Sequence, residues 1–182
     1  MSSRLHIVLP WAVRRTRLPL LALRCVDCGC ETAHVGDGRF RVNANGKLLD
    51  IWLLVHCVNC DWTRKLTVHE RVSVRSLAPG LLDGYSDNAP ELVTAFLFDP
   101  LVGRRNRFTL LWDGCWEFVH SPPPESPWPV QVSVTFHDPI PVRPDRLIGQ
   151  GLGISRGEIA ARVKIDIPLN RKTHRDFSFI LL

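Results

Sequence analysis

Arg39-Phe40-Arg41-Val42 alternates polar with apolar side chains, Leu48 to Val55 is an apolar run, and Arg64 to Val72 alternates again. This is the period-two signal of antiparallel strands. Asn45-Gly46 lies between the first two runs and is the dipeptide best suited to the positive φ angles of a tight hairpin turn. Leu5 to Trp11 and Leu18 to Cys25 also read as short strands, separated by a bend at Arg14, Arg15 and Arg17. Downstream, Pro90 to Phe98 predicts a helix with proline in its first turn, ended by Asp99-Pro100, and Leu101 to Asn106 continues as a second helical turn. Phe108 to Val119 carries Trp112, Cys115, Trp116 and Phe118 as expected core. Ser121 to Pro129 holds five prolines and reads as a linker or rigid loop, and Val130 to Phe136 alternates as a strand.

The last forty residues have a different rhythm. Pro144 opens a predicted helix through Leu147 and Ile148, and Gly151 and Gly153 supply its stop. Ser155-Arg156-Gly157-Glu158 fits a capping box at the start of a second short helix. Ile159 and Val163 are spaced to face Leu147, Ile148, Leu152 and Ile154, with Arg156, Arg162 and Lys164 outward. Two strands, Lys164 to Leu169 and Asp176 to Leu182, are expected around the basic loop Asn170 to Arg175. The fold class predicted is α+β: an N-terminal antiparallel β zinc ribbon over residues 1–75, a mixed segment over 76–141 containing the loop 121–129, and a basic two-helix motif with strands over 142–182.

Cysteine spacing adds chemistry to this outline. Cys25-Val26-Asp27-Cys28 and Cys57-Val58-Asn59-Cys60 are two Cys-x-x-Cys hooks flanking the predicted hairpin. Two such turns deliver four thiolates to one tetrahedral ion, at zinc–sulfur bonds of roughly 2.3 Å. Zinc held by Cys25, Cys28, Cys57 and Cys60 in a structural role is the expectation, with an iron-thiolate electron carrier as the alternative chemistry of the same ligands. Cys30 offers a fifth sulfur, and His34, His56 and His69 are reserve ligands. Six cysteines in 182 residues are too few for a disulfide scaffold, which points to a reducing, cytoplasmic setting. The arginines near the start cut its apolar runs below the length of a signal peptide core or a membrane span. Cys115 has no base at a recognisable spacing, and Gly149-Gln150-Gly151-Leu152-Gly153 lacks the Lys-Ser/Thr ending of a phosphate loop. No catalytic constellation and no small-molecule substrate follow from the sequence.

The net charge of +5 is concentrated at the C-terminal end. Residues 143–182 hold eight Lys and Arg against four Asp and Glu, whereas residues 1–142 hold fifteen against fourteen. Such asymmetry points to an anionic partner.

Arg39 to Trp52, running into Cys57-x-x-Cys60 and Thr67-Val68-His69-Glu70-Arg71-Val72, closely resembles the bacterial domain-of-unknown-function family 1062. The resemblance places Cys25, Cys28, Cys57 and Cys60 on that family's two hooks and implies no particular activity. Asp145-Arg146-Leu147-Ile148 and Leu152-Gly153-Ile154-Ser155-Arg156-Gly157-Glu158-Ile159 are similar to the alpha-L RNA-binding motif of a ribosomal small-subunit protein, pseudouridine synthases and tyrosyl-tRNA synthetases. That likeness implies RNA contacts from Arg146, Ser155, Arg156, Arg162 and Lys164, to which the basic loop adds Arg171, Lys172 and Arg175. The resulting expectation is a non-catalytic, zinc-binding RNA-binding protein, with a zinc-stabilised protein-interaction or structural module as the alternative.

Overall fold

The computed structural model describes residues 8–123 and 129–182. The chain divides into two units, one built from the segment ending at Arg17 together with Trp112–Leu182, the other from Leu18–Leu111. This division cuts across the three consecutive segments expected from sequence. The second unit is an insertion into the first, and its two chain ends are hydrogen-bonded neighbours: β2 (Leu20–Ala22) pairs antiparallel with β7 (Thr109–Leu111), Leu20 opposite Leu111.

In the interrupted unit, β1 (Val8–Arg15) lies between β8 (Trp116–Val119), antiparallel to it, and β9 (Val130–Phe136), parallel to it. β11 (Phe177–Leu181) and the two-residue β10 (Val163–Lys164) extend the sheet to the order β10-β11-β9-β1-β8. Alternation fills one face: Trp11 and Val13, then Val130, Val132 and Val134, then Phe177, Phe179 and Leu181 are all buried. The helices α4 (Pro144–Leu152) and α5 (Arg156–Arg162) add Leu147, Ile148 and Ile159 to this core. α4 approaches Trp11 closely enough that a Cβ at Gly151 would meet the indole ring at 2.5 Å.

The expected arginine-rich bend lies between the two strands at Thr16 and Arg17, later than Arg14 and Arg15. Arg14 and Arg15 belong to β1, because pairing with β8 and β9 satisfies the backbone up to Arg15, while Arg14 stays exposed and Arg15 Nε reaches Asp138 at 3.3 Å. The expected strand Leu5 to Trp11 extends to Arg15, and its first three residues lie outside the described residues. Gly151 does not stop α4 but lies within it, and the helix ends at Gly153, with φ of 67°. The strand expected from Lys164 to Leu169 shortens to Val163–Lys164. Pro168 lacks the N–H that a longer ladder requires. The capping box forms as expected: Ser155 Oγ accepts from Glu158 N–H, and the Glu158 carboxylate accepts from Ser155 N–H at 2.8 Å. Of the proline-rich loop, residues 124–128 lie outside the described residues.

The inserted unit is a six-stranded sheet with three α-helices and one short 3-10 helix, Val74–Ser76. β5 (Leu48–Cys57) is central: β4 (Phe40–Asn45) and then β3 (Thr32–His34) pair with one of its edges, β6 (Thr63–Ser73) with the other, and β2 and β7 follow β3. Leu49, Ile51, Leu53 and Val55 of β5 face a core completed by Leu66, Val68, Tyr85, Val93 and Leu97. Tyr85 comes from α1 (Leu81–Ser86), Val93 and Leu97 from α2 (Pro90–Phe98), and α3 (Pro100–Asn106) follows. The β4–β5 hairpin turns one residue later than expected. Asn45 still pairs with Leu48, so Gly46 and Lys47 form the loop and Gly46 alone takes a positive φ, 63°. This fits a type II′ turn, which requires glycine at its first central position.

The β5–β6 ladder is irregular. Leu49 faces Val72, Ile51 faces His69, and Trp52 faces Thr67, so β6 accommodates two more residues than β5 over this span. Extra residues of this kind bend and twist the strand that carries them. Among the described residues no helix is long and apolar enough to cross a membrane.

Candidate metal centre

The two hooks meet because of strand register. The first occupies the turn between β2 and β3, the second begins at Cys57, the last residue of β5, and runs into the turn before β6, and antiparallel pairing of Ala33 with Cys57 brings both hooks to the same end of the sheet. The backbone fixes each hook locally. Cys25 N–H donates to the Cys30 carbonyl at 2.7 Å, Gly29 N–H returns to the Cys25 carbonyl at 3.2 Å, and Gly29 has φ of 75°. In the second hook, Cys57 N–H donates to the Trp62 carbonyl at 3.0 Å, and Asn59 N–H donates to Cys57 Sγ at 3.4 Å. Val58 N–H ties the hooks together by donating to the Thr32 carbonyl at 3.2 Å.

The sulfurs of Cys25, Cys28, Cys57 and Cys60 lie within 4.8 Å of one another. Cys25 Sγ is 3.6 Å from Cys60 Sγ, and Cys28 Sγ is 3.6 Å from Cys57 Sγ. A tetrahedron with metal–sulfur bonds of roughly 2.3 Å has edges of about 3.8 Å, so the donor set fits a four-coordinate ion. Cys25 and Cys57 are buried, Cys60 is half-buried, and Cys28 is exposed, which leaves one side of the cluster facing water. All six cysteines are free thiols.

Proton affinities in the cluster diverge. Hydrogen bonding from the Cys30 backbone and then from Asn59 brings the Cys28 thiol down to about 6. At Cys60 the Trp62 backbone acts in the lowering direction, but desolvation and the neighbouring Cys28, Cys25 and Cys57 sulfurs push the thiol up to about 12. Like charges at this separation cannot all form unaided, and a thiolate gained at one position raises the cost at the next. A dication removes that conflict, as a metal bound to thiols does by displacing their protons.

The remaining candidate ligands lie elsewhere. Cys30 is outside the grouping, and its sulfur is directed at the Thr32 carbonyl, 3.7 Å away. His34 Nδ1 accepts from Gly36 N–H, His56 Nδ1 bonds Thr63 Oγ1, and His69 Nε2 bonds the Tyr85 hydroxyl at 3.0 Å. Burial holds the His69 imidazole below its usual proton affinity, with the Arg105 charge acting in the same direction.

In the other unit, Arg146, Arg156, Arg162, Lys164, Arg171, Lys172 and Arg175 are all exposed. Ser155 is exposed too, but its hydroxyl is committed to the helix cap. Sequence reasoning passed over Asp145. Its buried carboxylate accepts from Arg143 through both oxygens and lies 3.6 Å from Arg156 Nε. Arg143 and then Arg156 hold this carboxyl below the usual range, against the effect of burial. An acid at the start of a helix, flanked by arginines, was the available signal.

No curated protein and no solved structure matches the chain. A family match covers residues 42–170, which include the second hook. The chain belongs to the family described as protein of unknown function (DUF1062).

Proposed function

We propose that Cys25, Cys28, Cys57 and Cys60 hold a structural zinc ion and that the protein is a non-catalytic binding protein. The observation that carries this reading is the mutual approach of the four sulfurs within 4.8 Å. Four protein thiolates fill a tetrahedral shell and leave no position for an activated water. The metal's contribution is then to stability, since it joins the β2–β3 and β5–β6 turns. Metal analysis of purified protein tests the assignment, with about one zinc per chain expected. Folded, reduced, metal-free protein would overturn it, and a visible charge-transfer band would assign the same sulfurs to iron.

For the partner we favour RNA, contacted through the unit that contains α4 and α5. The supporting observation is that its Arg and Lys side chains at 146, 156, 162, 164, 171, 172 and 175 are all exposed. Phosphate contacts of this kind give affinity that falls with salt, each contributing about −0.7 to −0.9 to the slope of log affinity against log salt. Replacing Arg156, Arg162 and Lys164 by alanine is expected to weaken binding of a structured RNA and flatten that slope. Unchanged affinity and slope in the triple variant would transfer the function to protein interaction instead.

A further inference from the structure

The irregular β5–β6 ladder forms a cavity of about 290 Å³ on the face of the sheet opposite the core, lined by Asn45, Asp50, Trp52, Thr67, Glu70 and Arg71 among others. Its shape follows from the bulges. Arg71 has φ of 49°, an unusual conformation for a residue with a side chain, and Asp50 Oδ1 accepts its N–H at 2.9 Å. Bulges and left-handed non-glycine residues concentrate where a strand must re-aim side chains at a ligand.

The chemistry of the lining is specific. Asp50, Glu70 and Arg71 have no ion-pair partner among the described residues, so two carboxylates and one guanidinium face one cavity without neutralising one another. Trp52 adds an indole ring, over which Lys65 Nζ sits 4.6 Å from the centroid. The carboxylates disfavour a phosphorylated ligand. The volume is at the lower limit of small-molecule pockets, roughly 300 Å³, and therefore suits a metabolite of a few heavy atoms better than a cofactor. These carboxylates are not part of any metal-ligand grouping; among the described residues the only one is the cysteine quartet.

We propose that this cavity binds a small zwitterion of the α-amino-acid class. Arg71 receives the ligand carboxylate in a two-pronged contact. Asp50 and Glu70 receive the ammonium, and Trp52 supplies an apolar wall for the carbon stem. Asn45 and Thr67 add neutral hydrogen-bonding groups. The site belongs to the inserted unit and is independent of the RNA reading.

Calorimetric titration of the metal-replete full chain with each common free L-amino acid tests the proposal. At least one is expected to bind saturably with Kd below about 1 mM, and its methyl ester and its N-acetyl derivative each at least about tenfold more weakly. Asp50→Asn keeps an oxygen for the Arg71 N–H while removing the charge, and Glu70→Gln does the same for the second carboxylate. Both are expected to weaken binding. Arg71→Gly is the sharpest variant, because glycine adopts φ of 49° freely. It is expected to melt no lower than the parent and to lose binding. Failure of every amino acid to saturate overturns the proposal, as does parental affinity in folded Arg71→Gly.

Discussion

Asn106 closes the outer edge of β6 by pairing with the backbone of Thr67 as a neighbouring strand would. Its Oδ1 accepts the Thr67 N–H at 2.7 Å, and its Nδ2 donates to the Thr67 carbonyl at 3.2 Å. Arg105 adds donation to the Thr67 and Val68 carbonyls. An exposed sheet edge is a template for association, and a helix terminus that covers it removes the hazard. Asn106 is one of two buried polar residues among those described, and both halves of its amide are satisfied.

Asn106→Ala is therefore expected to cost about 1–3 kcal/mol, because the Thr67 N–H loses its partner under cover of α3. Asn106→Asp keeps the acceptor and loses the donor, and should fall between alanine and the parent. Urea midpoints rank the three proteins, and faster hydrogen exchange at the Thr67 amide localises the effect.

Among the cysteines, serine substitution is expected to separate ligands from bystanders. Cys25→Ser and Cys57→Ser should lose the metal and much of the folded signal of the inserted unit. Structural zinc supplies about 10–16 kcal/mol in small domains, as much as the stability of many whole domains. Cys30→Ser and Cys115→Ser should retain full metal content. Elemental analysis alongside thermal melting distinguishes the two groups.

Gly151→Ala reverses an ordinary expectation. Alanine inside a helix normally gains about 1 kcal/mol over glycine. Here the added methyl would lie 2.5 Å from the Trp11 ring, so overpacking at about 1–3 kcal/mol outweighs the gain. A lowered melting temperature with a changed near-ultraviolet signal from Trp11 is the expected result.

Asp145 predicts a pH window. Its folded carboxyl is held below its ordinary value by Arg143 first, so the stabilisation is fully present above about pH 4 and is lost as pH falls through the depressed folded value. Asp145→Asn should cost about 1–3 kcal/mol at neutral pH, since it removes a charge-assisted pair beside a buried position. The gap between variant and parent should shrink on acidification below about pH 4. Denaturation midpoints measured across pH 2–7 check this sign.

What the sequence made legible was local. The hook spacing, the Ser155–Glu158 box and the proline starts of α2 and α4 depend on neighbours within a few residues, and each stands where expected. The arginine-rich bend begins only at Thr16, because partners more than a hundred positions away hold Arg14 and Arg15 in β1. The β6 bulges were invisible because Arg64 to Val72 keeps its alternation on paper, and only the register against β5 exposes the two extra residues. The cavity at Trp52 is a product of that register. Asn106 and Thr67, separated by 39 positions, carry no periodic signal at all.

The inserted arrangement of the unit that carries the cysteine quartet sets an order of events during synthesis. As the chain emerges from its N-terminus, the inserted unit completes its sheet once β7 has been made, and it can close then. β1 must wait: its antiparallel partner begins at Trp116 and its parallel partner at Val130. Until then an apolar strand carrying Trp11 and Val13 is without its neighbours. The arginines beside it keep that nascent segment charged, as gatekeeper residues do for strands exposed before their partners arrive.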